Sequence, residues 1–211
     1  MNTRPAIENM PDVPEMVRQA AEAFRHDRTA EAEKLCGAIL RIAPENFDAR
    51  YMLGTLRNRQ REFVSARILL KSALRTNPDD GQALVQYAGV LESLGHPVEA
   101  QATYEKALAG YDAALAAGQG EYKIYVRRGK ALRNLGRAEE ALASFEAAIA
   151  CKPESVSAIS YRADTLRELN RPREALASYY EALRIDPGYA PAHHRAGQDR
   201  KSTRLNSSHV A

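Results

Sequence analysis

With 211 residues, 45% of them hydrophobic, and a formal charge of +3, the chain can bury a full core but carries little excess charge to recruit a polyanion. A mean hydropathy of −0.48, with no apolar run near the roughly 18 residues a bilayer crossing needs, excludes a membrane helix. The opening MNTRPAIENMPDVPEM lacks the basic-then-apolar order of a secretory leader. Cys36 and Cys151 lie far apart and read as helix-packing residues, so a reducing, cytoplasmic setting is expected.

Taken in chain order, the elements are set by prolines. Pro44, Pro78, Pro153 and Pro187 each follow an alanine-rich amphipathic stretch. The first and last intervals are 34 residues, and the middle one is a 34-residue interval plus 41. A fixed period of this size means a stacked array in which no unit buries its apolar face alone. Residues 1–12 precede the array. Its units are 13–46, 47–80, 81–121, 122–155 and 156–189, with a truncated sixth at 190–198.

Aligned on the prolines, the units share columns. One is small: Ala20, Gly54, Ala88, Gly129, Ala163 and Gly197. Another is alanine throughout: Ala32, Ala66, Ala100, Ala141 and Ala175. A third is mostly large: Cys36, Leu70, Tyr104, Phe145 and Tyr179. Small residues let two helix axes approach while large ones fill the adjoining holes, so each unit reads as an antiparallel helix pair. The signals Gly95-His96-Pro97, Asn134-Leu135-Gly136 and Asn170-Arg171-Pro172 mark turns between the two helices. In the third unit Asp112 replaces proline and the alanine-rich pattern runs on. One elongated second helix, ending at 118–120, is expected there.

The small–alanine–aromatic–alanine–proline order resembles the tetratricopeptide repeat, over about residues 13–198. The resemblance implies an all-α, right-handed α-solenoid of five antiparallel helix pairs and the start of a sixth. The column before the small one departs from the pattern, with Gln19, Arg128 and Arg162 where a large apolar residue is usual. Residues 199–209, DRKSTRLNSSH, look like a translated sequencing adapter, so 199–211 is expected to be a non-native tail. Without that tail the formal charge is +1, and the natural chain is expected to continue past Gln198.

In this family the first helices line a concave groove. On the fourth unit Tyr125, Gly129, Leu132 and Leu135 make the packing stripe, which leaves Lys123, Arg127, Lys130 and Asn134 to face the groove at helical spacing. The second unit offers Asp48, Tyr51, Met52 and Thr55. The third offers Gln82 and Gln86, and the fifth Ser157, Ser160, Tyr161 and Asp164. Such a lining of cations, amides and aromatics suits an extended, acidic peptide. Some family members hold a peptide's terminal carboxylate with two Lys, two Asn and one Arg. Lys123 and Arg127 match that clamp, but Gln86 stands for an Asn, and Tyr51 and Thr55 replace its first Lys and Asn. Against an anion site stands a plain solvated basic face.

No catalytic, metal or cofactor set emerges. His193 and His194 are adjacent and point about 100° apart on a helix. Ser160 and Asp164 have no histidine nearby, and Gly118-Gln119-Gly120 lacks a phosphate-loop lysine. The expected function is therefore a protein- or peptide-binding scaffold without chemistry of its own. The alternative is a substrate-guiding array, because AEKLCGAILRIAPENFDARYMLG and EALASYYEALRIDPGYAPAHHRAG resemble arrays preceding bacterial O-GlcNAc-transferase-like domains. The period, the recurrent prolines and the low charge argue against nucleic acid as partner. The oligomeric state is open.

Overall fold

The computed structural model describes residues 12–195; Gly197, the flanking residues 1–11 and the tail at 199–211 lie outside them. Among the described residues ten helices follow one another in pairs: α1 (Val13–Arg25) and α2 (Thr29–Ile42), α3 (Phe47–Arg59) and α4 (Phe63–Thr76), α5 (Gly81–Ser93) and α6 (Pro97–Ala116), α7 (Tyr122–Asn134) and α8 (Ala138–Cys151), α9 (Val156–Glu168) and α10 (Pro172–Ile185). Helical backbone resumes at 190–195, and no strand occurs among the described residues. The chain divides into two compact units, Met1–Thr103 and Tyr104–Ala211, with the division inside α6.

In the first unit each helix from α1 to α5 packs on the next, and α1 touches α3 as α3 touches α5. In the second unit α7 to α10 pack in the same succession, and α7 touches α9. Within each unit the first helices of successive pairs thus touch, whereas α2 and α4, like α8 and α10, stay farther apart. This is the all-α, helix-pair architecture that the columns imply.

Local chemistry explains where each helix begins and ends. The period-ending prolines sit second in a tight turn closed by the residue two positions on. Asn46 N–H donates to the Ala43 carbonyl at 3.0 Å, Ser155 to Lys152 at 3.0 Å, and Tyr189 to Asp186 at 3.1 Å. The residue before each proline is forced out of the helical region, as at Ala43 (φ −128°, ψ 81°) and Lys152 (φ −143°, ψ 87°), and that stops the second helices. The next helix is then capped. Asp12, Asn46, Asp80 and Ser155 accept from the backbone N–H of Glu15, Ala49, Ala83 and Ala158, at 2.7 Å for Asp80 and 3.4 Å for Asp12. The helix α7 differs, since Glu121 occupies its cap position without a side-chain bond. With Asp112 at the proline register, α6 runs 20 residues against 14 for α2, α4, α8 and α10.

The turn inside each pair needs one residue in the left-handed region. Asp27, Arg61, Gly95, Gly136 and Asn170 have φ of 54°, 63°, 79°, 73° and 58°. They recur at one register, just past the first helix, where a left-handed residue closes the last turn. Glycine and asparagine meet this demand easily. Arg61 does so against the steric preference of an L side chain.

The small column packs directly on the large one. A Cβ at Gly129 would fall 2.6 Å from Phe145 Cε1, and one at Gly54 would fall 2.8 Å from Leu70 Cγ. Ala32, Ala66, Ala141 and Ala175 are fully buried, as are Cys36, Leu70, Phe145 and Tyr179. The arginines that break the apolar column serve the same joint. Arg128 reaches from α7 to Asp112 and to the Ser144 hydroxyl, both at 2.6 Å. Arg162, at the equivalent place on α9, reaches Ser178 at 3.1 Å and Glu181 at 2.5 Å. Asp112, the residue that stands where proline would end α6, is thus the partner of Arg128.

Two measurements check this account. Gly129→Ala should lose about 1 kcal/mol net in urea unfolding, because overpacking of about 1–3 kcal/mol outweighs the helix gain of up to about 1 kcal/mol. Arg61→Gly should gain about 1 kcal/mol by relieving the left-handed strain. A Gly129→Ala protein as stable as the parent would contradict the packing. The thiols supply a second check. Cys36 is buried, and burial, aided by the Glu33 charge, pushes its thiol up to about 11, while Cys151 is exposed. Neutral Cys36 contributes stability fully below its ordinary value near 9.0, and that contribution erodes as pH rises toward 11. A thiol reagent at neutral pH should titrate one cysteine in the folded protein and both in denaturant.

Candidate functional site

The eight expected groove residues divide evenly between the two units. In the first unit Tyr51 is half-buried, its ring stacked on Phe47 with centroids 6.0 Å apart. Gln82 is exposed and Gln86 half-buried on α5. Thr55 is 5% exposed, and its hydroxyl donates to the Tyr51 carbonyl at 2.9 Å. Met52, at 4%, sits in the core with Ala20 and Cys36. In the second unit Ser160 and Asp164 are likewise buried, at 5% and 8%. One cause covers Thr55, Met52, Ser160 and Asp164. Helical spacing identifies one packing stripe per helix, but α3 also abuts α1 and α5, and α9 abuts α7. A second stripe is thereby taken from solvent.

The remaining residues meet around α7. Lys123 is exposed, and Arg127 and Lys130 are half-buried. The Lys130 ammonium lies 5.4 Å from the ring centroid of Tyr161 on α9, and that ring stacks on Phe145 at 5.5 Å with planes 22° apart. Lys130 is therefore held as a cation–π partner. Among the described residues neither Lys123 nor Arg127 has an ion-pair or hydrogen-bond partner for its side chain. Arg127 lines an open pocket of about 560 Å³ with Gly118, Gln119, Gly120, Glu121 and Ile124. The first turn of α7 has no acidic side chain, and the two unpaired cations share this helix start with one carboxylate, Glu121 at the cap position. Lys152 adds a third cation, its ammonium 5.1 Å from the Tyr122 ring centroid. No sequence spacing pointed to Lys152, which arrives from the far end of α8.

Beside this basic face lies a network that spacing also does not foretell. Asp164 accepts the Tyr179 hydroxyl at 2.5 Å and pairs with Arg195 at 3.0 Å and Arg133 at 4.0 Å. Arg133 also binds Glu168, so α7 and α9 are tied by charge as well as by packing. Burial, with the bond to Asp164, raises the Tyr179 hydroxyl well above the ordinary tyrosine range. Its contribution to stability is complete below that ordinary range and is lost as pH rises through the folded value. Tyr179→Phe should lower stability by about 1.5–3 kcal/mol, the worth of a hydrogen bond to a charged group. Urea unfolding at neutral pH measures it, and an unchanged midpoint would refute the assignment. Among the described residues no group of three or more His, Cys, Asp or Glu could hold a metal ion. No described helix is long and apolar enough to cross a membrane.

Comparison with known proteins places this architecture. No curated protein sequence matches the chain. A family model described as Tetratrico peptide repeat matches residues 81–195, and one described as Tetratricopeptide repeat matches residues 17–81. Among solved structures, TTC0263, a thermophilic TPR protein of Thermus thermophilus, is 20% identical over 89% of this chain and 98% of its own, with a TM-score of 0.70. Human IFIT1, solved as a dimer with m7Gppp-AAAA, is 18% identical over 95% of this chain and 49% of its own, with a TM-score of 0.74. MamA from residue 41 onward, of Desulfovibrio magneticus RS-1, is 16% identical over 86% and 99%, with a TM-score of 0.52. At these identities the structures speak to fold alone, whereas the first family model spans more than half the chain. The chain belongs to the tetratricopeptide repeat family.

Proposed function

We propose that this protein is a binding scaffold whose first-helix face holds an extended acidic segment of another protein, with no chemistry of its own. The observation that carries the reading is the pair Lys123 and Arg127. They sit one turn apart at an α7 start without a side-chain cap, and Arg127 borders the open pocket. Most arginines of the two units are already spent on carboxylates, as Arg50 is on Glu45, Arg57 on Glu33 and Arg162 on Glu181. Cations left unpaired on a partly enclosed surface attract an anionic ligand and steer its approach. Tyr161, stacked on Phe145, holds the Lys130 ammonium over its ring beside them.

Fluorescence anisotropy tests this with a labelled poly-glutamate peptide, a neutral Gly-Ser peptide and a short RNA. Only the acidic peptide should bind, and more weakly as salt rises. Lys123→Glu with Arg127→Glu should weaken it at least about tenfold, or about 1.4 kcal/mol. Equal affinity for parent and variant would end this reading, and preference for the RNA would replace it.

A further inference from the structure

The large hydrophobic side chains left exposed among the described residues gather on the second helices of the first unit: Ile42 on α2, Val64 and Ile68 on α4, and Val98 at the start of α6. Only Tyr180 stands elsewhere. Val64 and Ile68, one turn apart, are 59% and 62% exposed, and Val98, at the register of Val64 one repeat later, is 82% exposed. The same register carries Glu139 and Arg173 in the second unit, so nothing in the fold asks for valine. β-Branched residues are also poorer helix formers than alanine.

Cations accompany these aliphatics. The stripe of α4 that carries Val64 and Ile68 continues with Lys71 and Arg75, and the matching stripe of α2 carries Lys34 and Arg41, all exposed. Among the described residues Lys34 and Lys71 have no ion-pair or hydrogen-bond partner for their side chains. Arg41 reaches only the Gly37 carbonyl one turn back, at 3.4 Å, and Arg75 meets a carboxylate, Glu45, only at 3.9 Å. The nearby acids are already taken: Glu31 by Arg28 at 2.9 Å, Glu33 by Arg57 at 3.0 Å and Glu45 by Arg50 at 2.6 Å. α4 itself contains no acidic residue. The equivalent stripe of α8 reads Glu139, Ala143, Glu146 and Ala150, so this pattern belongs to the first unit and not to the repeat. Because α1 touches α3 while α2 and α4 stay farther apart, this side of the unit bows outward. A peptide segment seeks walls that enclose it, whereas a bilayer moulds itself to an outward surface.

We propose that the α2–α4 face of the first unit docks on a bilayer surface rich in anionic phospholipid. Lys34, Arg41, Lys71 and Arg75 meet the headgroup phosphates, while Val64, Ile68 and Val98 enter the boundary between headgroups and acyl chains. Either set alone gives marginal attachment, and the two signals together hold the protein. Docking of this kind is peripheral and reversible. It requires no helix that crosses the membrane, and no described helix could do so. It is also independent of the acidic-segment site, because Lys123 and Arg127 lie in the other unit.

Cosedimentation of the full chain with vesicles tests this. An equal mixture of phosphatidylcholine and phosphatidylglycerol should carry the protein down, phosphatidylcholine alone should not, and added salt should release it. Lys71→Glu with Arg75→Glu should weaken the binding about tenfold or more, as should Val64→Ser with Ile68→Ser. Lys123→Glu with Arg127→Glu makes the same change in net charge and should leave it unaltered. The chain has no tryptophan, so Ile68→Trp supplies a single reporter. Its emission should shift to the blue with the anionic vesicles, and that of Ala143→Trp on α8 should not. The substituted positions on α4 and α8 are exposed, and circular dichroism confirms that each variant folds. No binding to anionic vesicles overturns the proposal, as does binding that survives either α4 change or an equal shift at both tryptophans. Loss of poly-glutamate binding in Lys71→Glu with Arg75→Glu would give the face to an acidic protein instead, and would overturn it too.

Discussion

The joint between the two helices of a pair rests on one close approach, a side chain of almost no size against a ring or branched aliphatic. At Gly129 the approach to Phe145 is so tight that even a methyl group has no room. Where the small residue is alanine, as at Ala163, it shares one core cluster with Tyr179 and both are fully buried. Everything else in the pair follows from that distance. The fully buried alanines Ala141 and Ala148 can lie within the second helix only because the first helix comes near enough to cover them.

Polar links then reinforce what packing sets. Arg128 and Arg162 occupy a column that apolar residues could fill, yet each spans its pair to a serine and a carboxylate. Burying a guanidinium is tolerable when its donors are met, and both serines are themselves anchored to carbonyls one turn back. The Asp164 network works between pairs. It draws Arg133 from α7, Tyr179 from α10 and Arg195 from the helical segment that follows. Because several donors converge on one buried carboxylate, these helices are held in register as well as in contact.

The same economy sorts the surface. Arginines near carboxylates are consumed in holding helices together, so the cations that remain unpaired mark where the molecule still has attraction to offer. Lys123 and Arg127 are of this kind on the inner side of one unit, and Lys71 is of this kind on an outer helix of the other. Their settings differ. The inner pair adjoins a pocket and an uncapped helix start, whereas the outer cations continue an exposed valine–isoleucine pair. Two surfaces of different chemistry are thus available, one on each unit.

Much of the fold is legible in the residue order, because its determinants are local or strictly periodic. Proline after an amphipathic stretch, a small residue sixteen positions before a large one, and asparagine or glycine at a turn act over one or two helices. Arg61 escapes such reading, since its left-handed conformation comes from its place in the array and not from its own preference. The candidate site was legible only in part. Helical spacing brought out Lys123, Arg127 and Lys130, but it assigned Thr55, Met52, Ser160 and Asp164 to an open face. A single helix has one buried stripe, whereas a helix in a stack has two, and the second depends on neighbours far away in the chain. Which side chains keep their water, and which charges find partners such as Lys152 near Tyr122 or Arg195 at Asp164, was therefore decided by tertiary packing.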